Sequence, residues 1–154
     1  MTIYLTNINF KSIGKIKSSF THKSGDKNKV IADIIIDKKY TLALKGIEDY
    51  SHIMILFWLD KITDTEIKYL TTYPRGQENL PKVGIFSTRN KTRPNPIGLT
   101  IVNLISRKKN ILKVKGLDAF DGSFVLDIKP YDYKDIKNNI HVPNWWSNLS
   151  KNKK

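Results

Sequence analysis

The sequence predicts a mainly β fold: a single-domain β-barrel with short helical segments. Three observations carry this. About eight short stretches rich in β-branched and aromatic residues follow one another, separated by turn-forming joints. No helix of ordinary length alternates with them, which argues against a doubly wound sheet. The longest apolar run, Ile53–Leu59, is far short of the ~20 residues of a membrane span and reads as a strand buried on both faces.

Taken in order, Ile3–Phe10 and Ile13–Ser19 read as strands, with Gly14 placed for a bulge. His22–Asn28 is polar and carries a Ser-Gly-Asp turn signal. Val30–Ile36 is β-branched and extended. Thr41–Tyr50 is expected to form a short helical turn, with Thr41 as its N-cap and Leu42, Leu44 and Ile47 as apolar contacts. Ser51–Asp60 is the apolar strand. Lys61–Pro81 is a long connector with a short helix expected near Thr65–Leu70. Lys82–Ser87 and Leu99–Ile105 read as strands around a proline-rich loop. Ile111–Leu117 and Ser123–Lys129 are joined by Asp118-Ala119-Phe120-Asp121-Gly122. After Pro130 the chain is polar, apart from Trp145-Trp146, which fits either the cover of a core edge or a stacking surface for a base. Residues 1–146 are expected to be the barrel domain and 147–154 a basic, flexible tail.

Composition narrows the function. At 154 residues with 40% apolar content, one domain with a real core is expected. The absence of cysteine excludes disulfides, zinc-thiolate sites and thiol catalysis. The start, Met1-Thr2-Ile3-Tyr4, lacks a charged n-region and a long apolar run, so no signal peptide is expected, and the lack of cysteine fits a cytoplasmic protein. The net charge of +13 suits an anionic partner such as RNA, although a general bias toward lysine, isoleucine and asparagine shares in it. The arginines are few, and Arg75, Arg89 and Arg93 fall in one short stretch. Arginine offers a planar fork for carboxylate or phosphate that lysine cannot copy.

Two of those arginines sit in the loop Thr88–Leu99, stiffened by Pro94 and Pro96 and followed by Gly98. There is no Gly-x-Gly-x-x-Gly and no P-loop, so a Rossmann-type cofactor site is unsupported. His22, His52 and His141 lie far apart, no metal is expected, and His52 reads as a structural residue of the apolar strand. Asp118 and Asp121 bracket a turn. Asp127 lies inside an otherwise apolar strand, where a carboxylate is expected to meet a basic group or backbone donors. An ion pair with Arg89 or Arg93 and a ligand site both fit.

Three regions together resemble one family. Gly84-Ile85-Phe86-Ser87-Thr88-Arg89 followed by Arg93-Pro94-Asn95-Pro96-Ile97-Gly98-Leu99 is similar to its signature. Leu117-Asp118, Asp121-Gly122 and Val125-Leu126-Asp127-Ile128-Lys129-Pro130-Tyr131 resemble a second signature, and Gly46–His52 with Leu56-Phe57-Trp58 a third region. This is the TsaA-like family of S-adenosylmethionine-dependent tRNA methyltransferases, and the resemblance covers roughly Ile13–Trp146.

The resemblance implies a β-barrel unlike Rossmann methyltransferases, and a homodimer with S-adenosylmethionine bound near the subunit interface. It implies methylation of N6 of threonylcarbamoyl-adenosine next to the anticodon of tRNA. Family cofactor contacts carry over onto Arg89, Leu99 and Asp118, Ala119, Phe120 and Asp121, and onto Asp60 and Lys61 after the apolar strand. Arg75, Arg93, Asn95 and Lys129 are expected on the tRNA side. No catalytic base is assigned, with Asp121 and Asp127 as candidates.

The chain also departs from the family. The usual Pro-Arg-Gln segment is absent from Phe20–Asn28, Lys17 replaces an arginine and Ser19 a proline, and the chain stops soon after Trp146, where such proteins often continue. A methyltransferase for a small molecule and a non-catalytic RNA-binding protein of the same fold are the competing expectations.

Overall fold

A computed structural model describes residues 9–21, 24, 26–60 and 70–151. Eight strands are present among them: β1 (Gly14–Ser18), β2 (Ile31–Ile36), β3 (His52–Trp58), β4 (Thr71–Thr72), β5 (Val83–Gly84), β6 (Ile97–Lys108), β7 (Ile111–Lys115) and β8 (Phe124–Pro130). One helix, α1, spans Asn144–Lys151. Contacts divide the chain into two compact units, Met1–Asp60 with Ile97–Tyr131, and Lys61–Pro96 with Asp132–Lys154. Among the described residues no helix is long and apolar enough to cross a membrane.

The first unit is the expected barrel. Six antiparallel strands close in the order β1-β2-β7-β6-β3-β8. Side chains alternate along each strand, so every second residue points inward. Ile16, Ile34, Ile36, Ile53, Ile55, Val102, Leu112, Val114 and Val125 are at most 2% exposed and fill the interior. The strand β3 shows what alternation does to the reading of the apolar run. Ile53, Ile55 and Phe57 are buried, but Met54, Leu56 and Trp58 are only half-buried. A barrel strand has an outer side, so burial on both faces does not occur. Trp58 shields its outer face partly against Phe10, with ring centroids 6.3 Å apart.

Three local expectations are corrected. Gly14 is in regular register with Ile36 and Val125, and the irregularities lie instead between Leu56 and Phe57 and between Leu104 and Ser106. Thr41 is not an N-cap. It lies inside the 3-10 helix Lys38–Leu44, where its hydroxyl donates to the Lys38 carbonyl at 2.7 Å. Lys82–Ser87 is not one strand. Only Val83–Gly84 pairs, with Thr71–Thr72, before Ile85–Ser87 turns into a 3-10 helix. The Ile85 carbonyl is captured there by the Thr88 backbone N–H and hydroxyl, at 3.1 and 2.9 Å. Ile3–Ile8 and residues 65–69 of the expected Thr65–Leu70 helix lie outside the described residues, as do residues 152–154 of the expected tail, whose residues 147–151 belong to α1.

Arg107, the arginine outside the clustered stretch, is structural. Its Nη1 donates to the Leu44 carbonyl and to Glu48 Oε2, both at 2.9 Å, tying the 3-10 segments Lys38–Leu44 and Ile47–Asp49 to β6. That guanidinium holds the exposed Glu48 carboxyl below its ordinary range.

The glycine of the proline-rich signature has a packing reason. A Cβ on Gly98 would lie 2.4 Å from Cζ of Phe57, its partner on β3, whose ring is 3% exposed and has nowhere to go. Gly98→Ala is expected to cost about 2 kcal/mol of stability through this overpacking. Pairing it with Phe57→Leu is expected to recover much of the loss in thermal denaturation, since the cause is ring volume.

Candidate functional site

The residues from Leu117 to Ser123 cross one end of the barrel between β7 and β8. Backbone bonds clamp this segment onto β1: Gly122 N–H donates to Ile16 O at 2.8 Å, and Ile16 N–H to Ser123 O at 3.0 Å. Gly122, at φ +83°, supplies the left-handed corner that the Asp-Gly turn requires. Leu117 and Ala119 anchor the segment in the core, at 0% and 1% exposed. Ala119 therefore offers a ligand only its backbone.

Each carboxylate at this end has a partner. Asp118 is half-buried and accepts from Lys27 Nζ at 2.7 Å on one oxygen and from the Thr100 hydroxyl at 2.5 Å on the other. Asp121 is exposed and accepts the Ser18 backbone N–H at 3.0 Å through Oδ1. Asp60, in the turn after β3, accepts from the buried Ser123 hydroxyl at 3.1 Å. The ring of Phe120 lies 5.6 Å from that of Phe20. Alongside runs a surface groove of about 420 Å³ lined by Lys17, Ser18, Ser19, Ile31, Ala32, Asp33, Lys113 and Asp121. The sequence brings these three aspartates to notice but not the groups that support them. Thr100 and Ser123 stand beside signature residues and are readable as neighbours. Lys27 has no local signal, being 91 positions from Asp118.

Asp118 has a measurable consequence. Burial works to raise its pKa, but the hydrogen bonds from Lys27 and Thr100 outweigh burial and lower it. A depressed folded-state value means its stabilisation is complete above the unfolded carboxylate pKa and is lost as pH falls through the folded value. The melting temperature is expected to drop below about pH 4. Asp118→Asn should flatten that acid limb in calorimetric scans across pH, while an unchanged limb would assign it to other carboxylates.

Leu99 lies on β6 with its side chain outward, 55% exposed, while the next residue, Thr100, points inward. Lys61 lies outside the described residues. Asp127 meets a basic group and a backbone donor as expected, but its burial and the expected arginine partner are corrected. It is half-exposed and pairs with Lys129 Nζ at 2.7 Å, not with Arg89 or Arg93, and its Oδ1 accepts the Ile128 N–H at 2.9 Å. The apolar strand faces outward at that point, so no buried charge needs compensation. Lys129 is engaged by the same pair. His52 is half-buried, bonded through Nδ1 to the Ser51 hydroxyl at 2.9 Å, with its ring 6.4 Å from that of Tyr131, in keeping with a structural role.

The second unit holds the arginine cluster. Arg93 braces the proline-rich loop from within: its Nη1 donates to Thr88 O at 2.9 Å and Asn90 O at 3.2 Å. Its guanidinium carbon stands 5.7 Å from the Phe86 ring centroid. Arg75 is exposed at φ +54° in the 3-10 turn Pro74–Gly76, and Asn95 is exposed. Arg89 is exposed and lines a groove of about 340 Å³ with Phe86, Ser87, Thr88, Val142, Pro143, Trp145 and Trp146. The two indoles are half-buried and meet edge to face, at 5.8 Å and 79°.

Known proteins share both the sequence pattern and the architecture. The family model described as the tRNA-methyltransferase O N-terminal domain matches residues 10–135. A probable S-adenosyl-L-methionine-binding protein of Methanothermobacter thermautotrophicus is 42% identical over 134 residues, covering 84% of this chain and 93% of its own length. The mouse tRNA (adenine(37)-N6)-methyltransferase is 42% identical over 104 residues, 66% of this chain but 23% of that protein. The crystal structure of TrmO from Pseudomonas aeruginosa superposes with a TM-score of 0.73 at 26% identity, covering 94% of this chain and 64% of that one. The chain thus spans under two thirds of the solved relative and under a quarter of the mouse enzyme.

Proposed function

The chain belongs to the TsaA-like, tRNA-methyltransferase O family, and from that premise we propose that it is an S-adenosylmethionine-dependent methyltransferase acting on an adenine of tRNA. The observation that carries this is the family match across residues 10–135, which contains both the proline-rich loop and the acidic turn. The finer reading is methylation at N6 of threonylcarbamoyl-adenosine beside the anticodon.

The side chains fit the cofactor's chemistry. S-adenosylmethionine supplies an electrophilic methyl group and presents a carboxylate, an ammonium, ribose hydroxyls and an adenine edge. The exposed fork of Arg89 suits the carboxylate. Asp121, exposed and using Oδ1 on Ser18, suits the ammonium or a ribose hydroxyl. Asp118, engaged by Lys27 and Thr100, holds the turn in shape, and the backbone of Ala119 and Phe120 suits the adenine edge. Asp60, Lys61 and Leu99 complete the proposed cofactor set. Bound there, S-adenosylmethionine would supply the methyl group, and the acceptor nitrogen would need a base to take its proton. The contribution of these residues to the rate would be to hold cofactor and acceptor in fixed orientation. Arg75, Asn95 and Lys129, with the loop braced by Arg93, serve the tRNA side.

The test is incubation of total tRNA with methyl-labelled S-adenosylmethionine, followed by nucleoside analysis. Label in N6-methylated threonylcarbamoyl-adenosine is expected. Cofactor binding without tRNA label would favour a small-molecule acceptor, and RNA binding without cofactor binding a non-catalytic protein.

A homodimer belongs to the same reading. The outer face of β6 exposes Leu99, Ile101 and Ile105 at 55%, 45% and 46%, beside half-buried Met54 and Leu56 on β3. A second copy covering this face would bring it beside the proposed contact at Leu99. Light scattering is expected to show a dimer for the native chain and a monomer for Ile101→Glu.

A further inference from the structure

The groove beside Arg89 has features that cofactor recognition through a guanidinium does not call for. Three aromatic side chains, Phe86, Trp145 and Trp146, line it together with Val142 and Pro143. Phe86 is 75% exposed and Val142 46%, an apolar surface left open to water. Large exposed aromatics grouped with other apolar residues mark binding surfaces more than stray surface residues do. The surroundings are cationic. Arg93 stands over the Phe86 ring, and Arg89 lines the groove. Neither of the two stretches that build it, Ile85–Pro96 and residues 136–147, contains an acidic residue. An apolar peptide would have no use for that charge, and a bare phosphate would have no use for three rings. A nucleotide of a single-stranded segment uses both, the rings for its base and the cations for its phosphates. The volume, about 340 Å³, suits one nucleoside rather than a duplex.

We infer that this groove receives one unstacked base of the RNA that the enzyme methylates, with Phe86 and the two tryptophans as its stacking surface and Lys91, exposed in the adjoining proline-rich loop, as the cation for its phosphate. The inference rests on the reading of the chain as a tRNA-modifying enzyme and adds a second contact to it, next to the proposed cofactor ligand Arg89. Phe86 is the decisive residue. It is so exposed that its removal leaves no cavity, whereas the half-buried tryptophans support the fold of α1.

The experiment titrates the full chain with a short single-stranded oligoadenylate carrying 2-aminopurine, and with an abasic oligonucleotide of equal length. The base-bearing strand is expected to bind at least about tenfold more tightly than the abasic one, with a change in 2-aminopurine emission. Phe86→Ala is expected to weaken it about tenfold, and Phe86→Tyr to restore it. S-adenosylmethionine affinity, melting temperature and the slope of binding against salt should not change. Equal binding by wild type and Phe86→Ala, or equal binding of the abasic strand, would overturn the inference while leaving the methyltransferase reading intact. Loss of cofactor and RNA binding together in Phe86→Ala would assign the groove to the cofactor and also overturn it. A native chain that binds no RNA at all would overturn both.

Discussion

Gly14→Ala is expected to lower the melting temperature by about 6–12 °C, a large effect for one added methyl group. A Cβ at that position would lie 2.3 Å from the Ile35 carbonyl oxygen and 2.9 Å from the Ile36 Cα. Both are backbone atoms, so no rotamer change relieves the clash. Nor can β1 back away. It is paired with β2 on one side and β8 on the other, in register at Ile36 and Val125. Neighbouring bonds fix the same point, from Ile13 N–H to Val125 O at 2.8 Å and from Asp37 N–H to Ile13 O at 2.9 Å. In a closed barrel a displaced strand disturbs two neighbours, so a cost of about 3 kcal/mol is reasonable for this overpacking. Thermal denaturation followed by circular dichroism measures it. A shift of under about 2 °C would show that the strands part without cost.

Arg89→Ala is expected to weaken S-adenosylmethionine binding about 10- to 100-fold in calorimetry, and to leave the fold untouched. A hydrogen bond between charged groups contributes about 1.5–3 kcal/mol, which converts to that range. Arg89 is exposed in a loop that Arg93 already braces, so removing it should not alter the melting temperature. Arg89→Lys keeps the charge but loses the planar fork, and should recover only part of the affinity. If Arg89→Ala binds the cofactor like the native chain, Arg89 is not its carboxylate ligand. Asp121→Ala, measured the same way, would then say whether the acidic turn is involved without it.

Much of the fold is legible in one dimension, for physical reasons. Runs of β-branched and aromatic residues bounded by turn-forming joints mark strands locally, so β2, β7 and β8 are visible within a residue or two of their ends. The family signatures are legible because they are local, with Arg89, Gly98, Asp118 and Asp121 each standing next to the residues that identify them. The burial and the arginine partner expected for Asp127 fail because an apolar strand does not say which of its faces is inward. The pairing with Lys129, two positions along the same strand, exists because that part of β8 has an outer side. The strand expected at Lys82–Ser87 fails because the capture of one carbonyl, that of Ile85, outweighs β propensity over three residues.

The sequence by itself determined the barrel class, the family and the residue types available for the cofactor. Those follow from periodicity, local motifs and composition, which need no third dimension. Only the tertiary structure decided what each charged group is free to do. Lys27 reaches Asp118 across 91 positions, and Arg107 reaches Glu48 across 59. Arg93 turns inward on its own loop, and the rings of Phe86, Trp145 and Trp146 come together from segments far apart in the chain. Such pairings depend on chain closure over long loops, and nothing in the local sequence records which distant partner closure will supply.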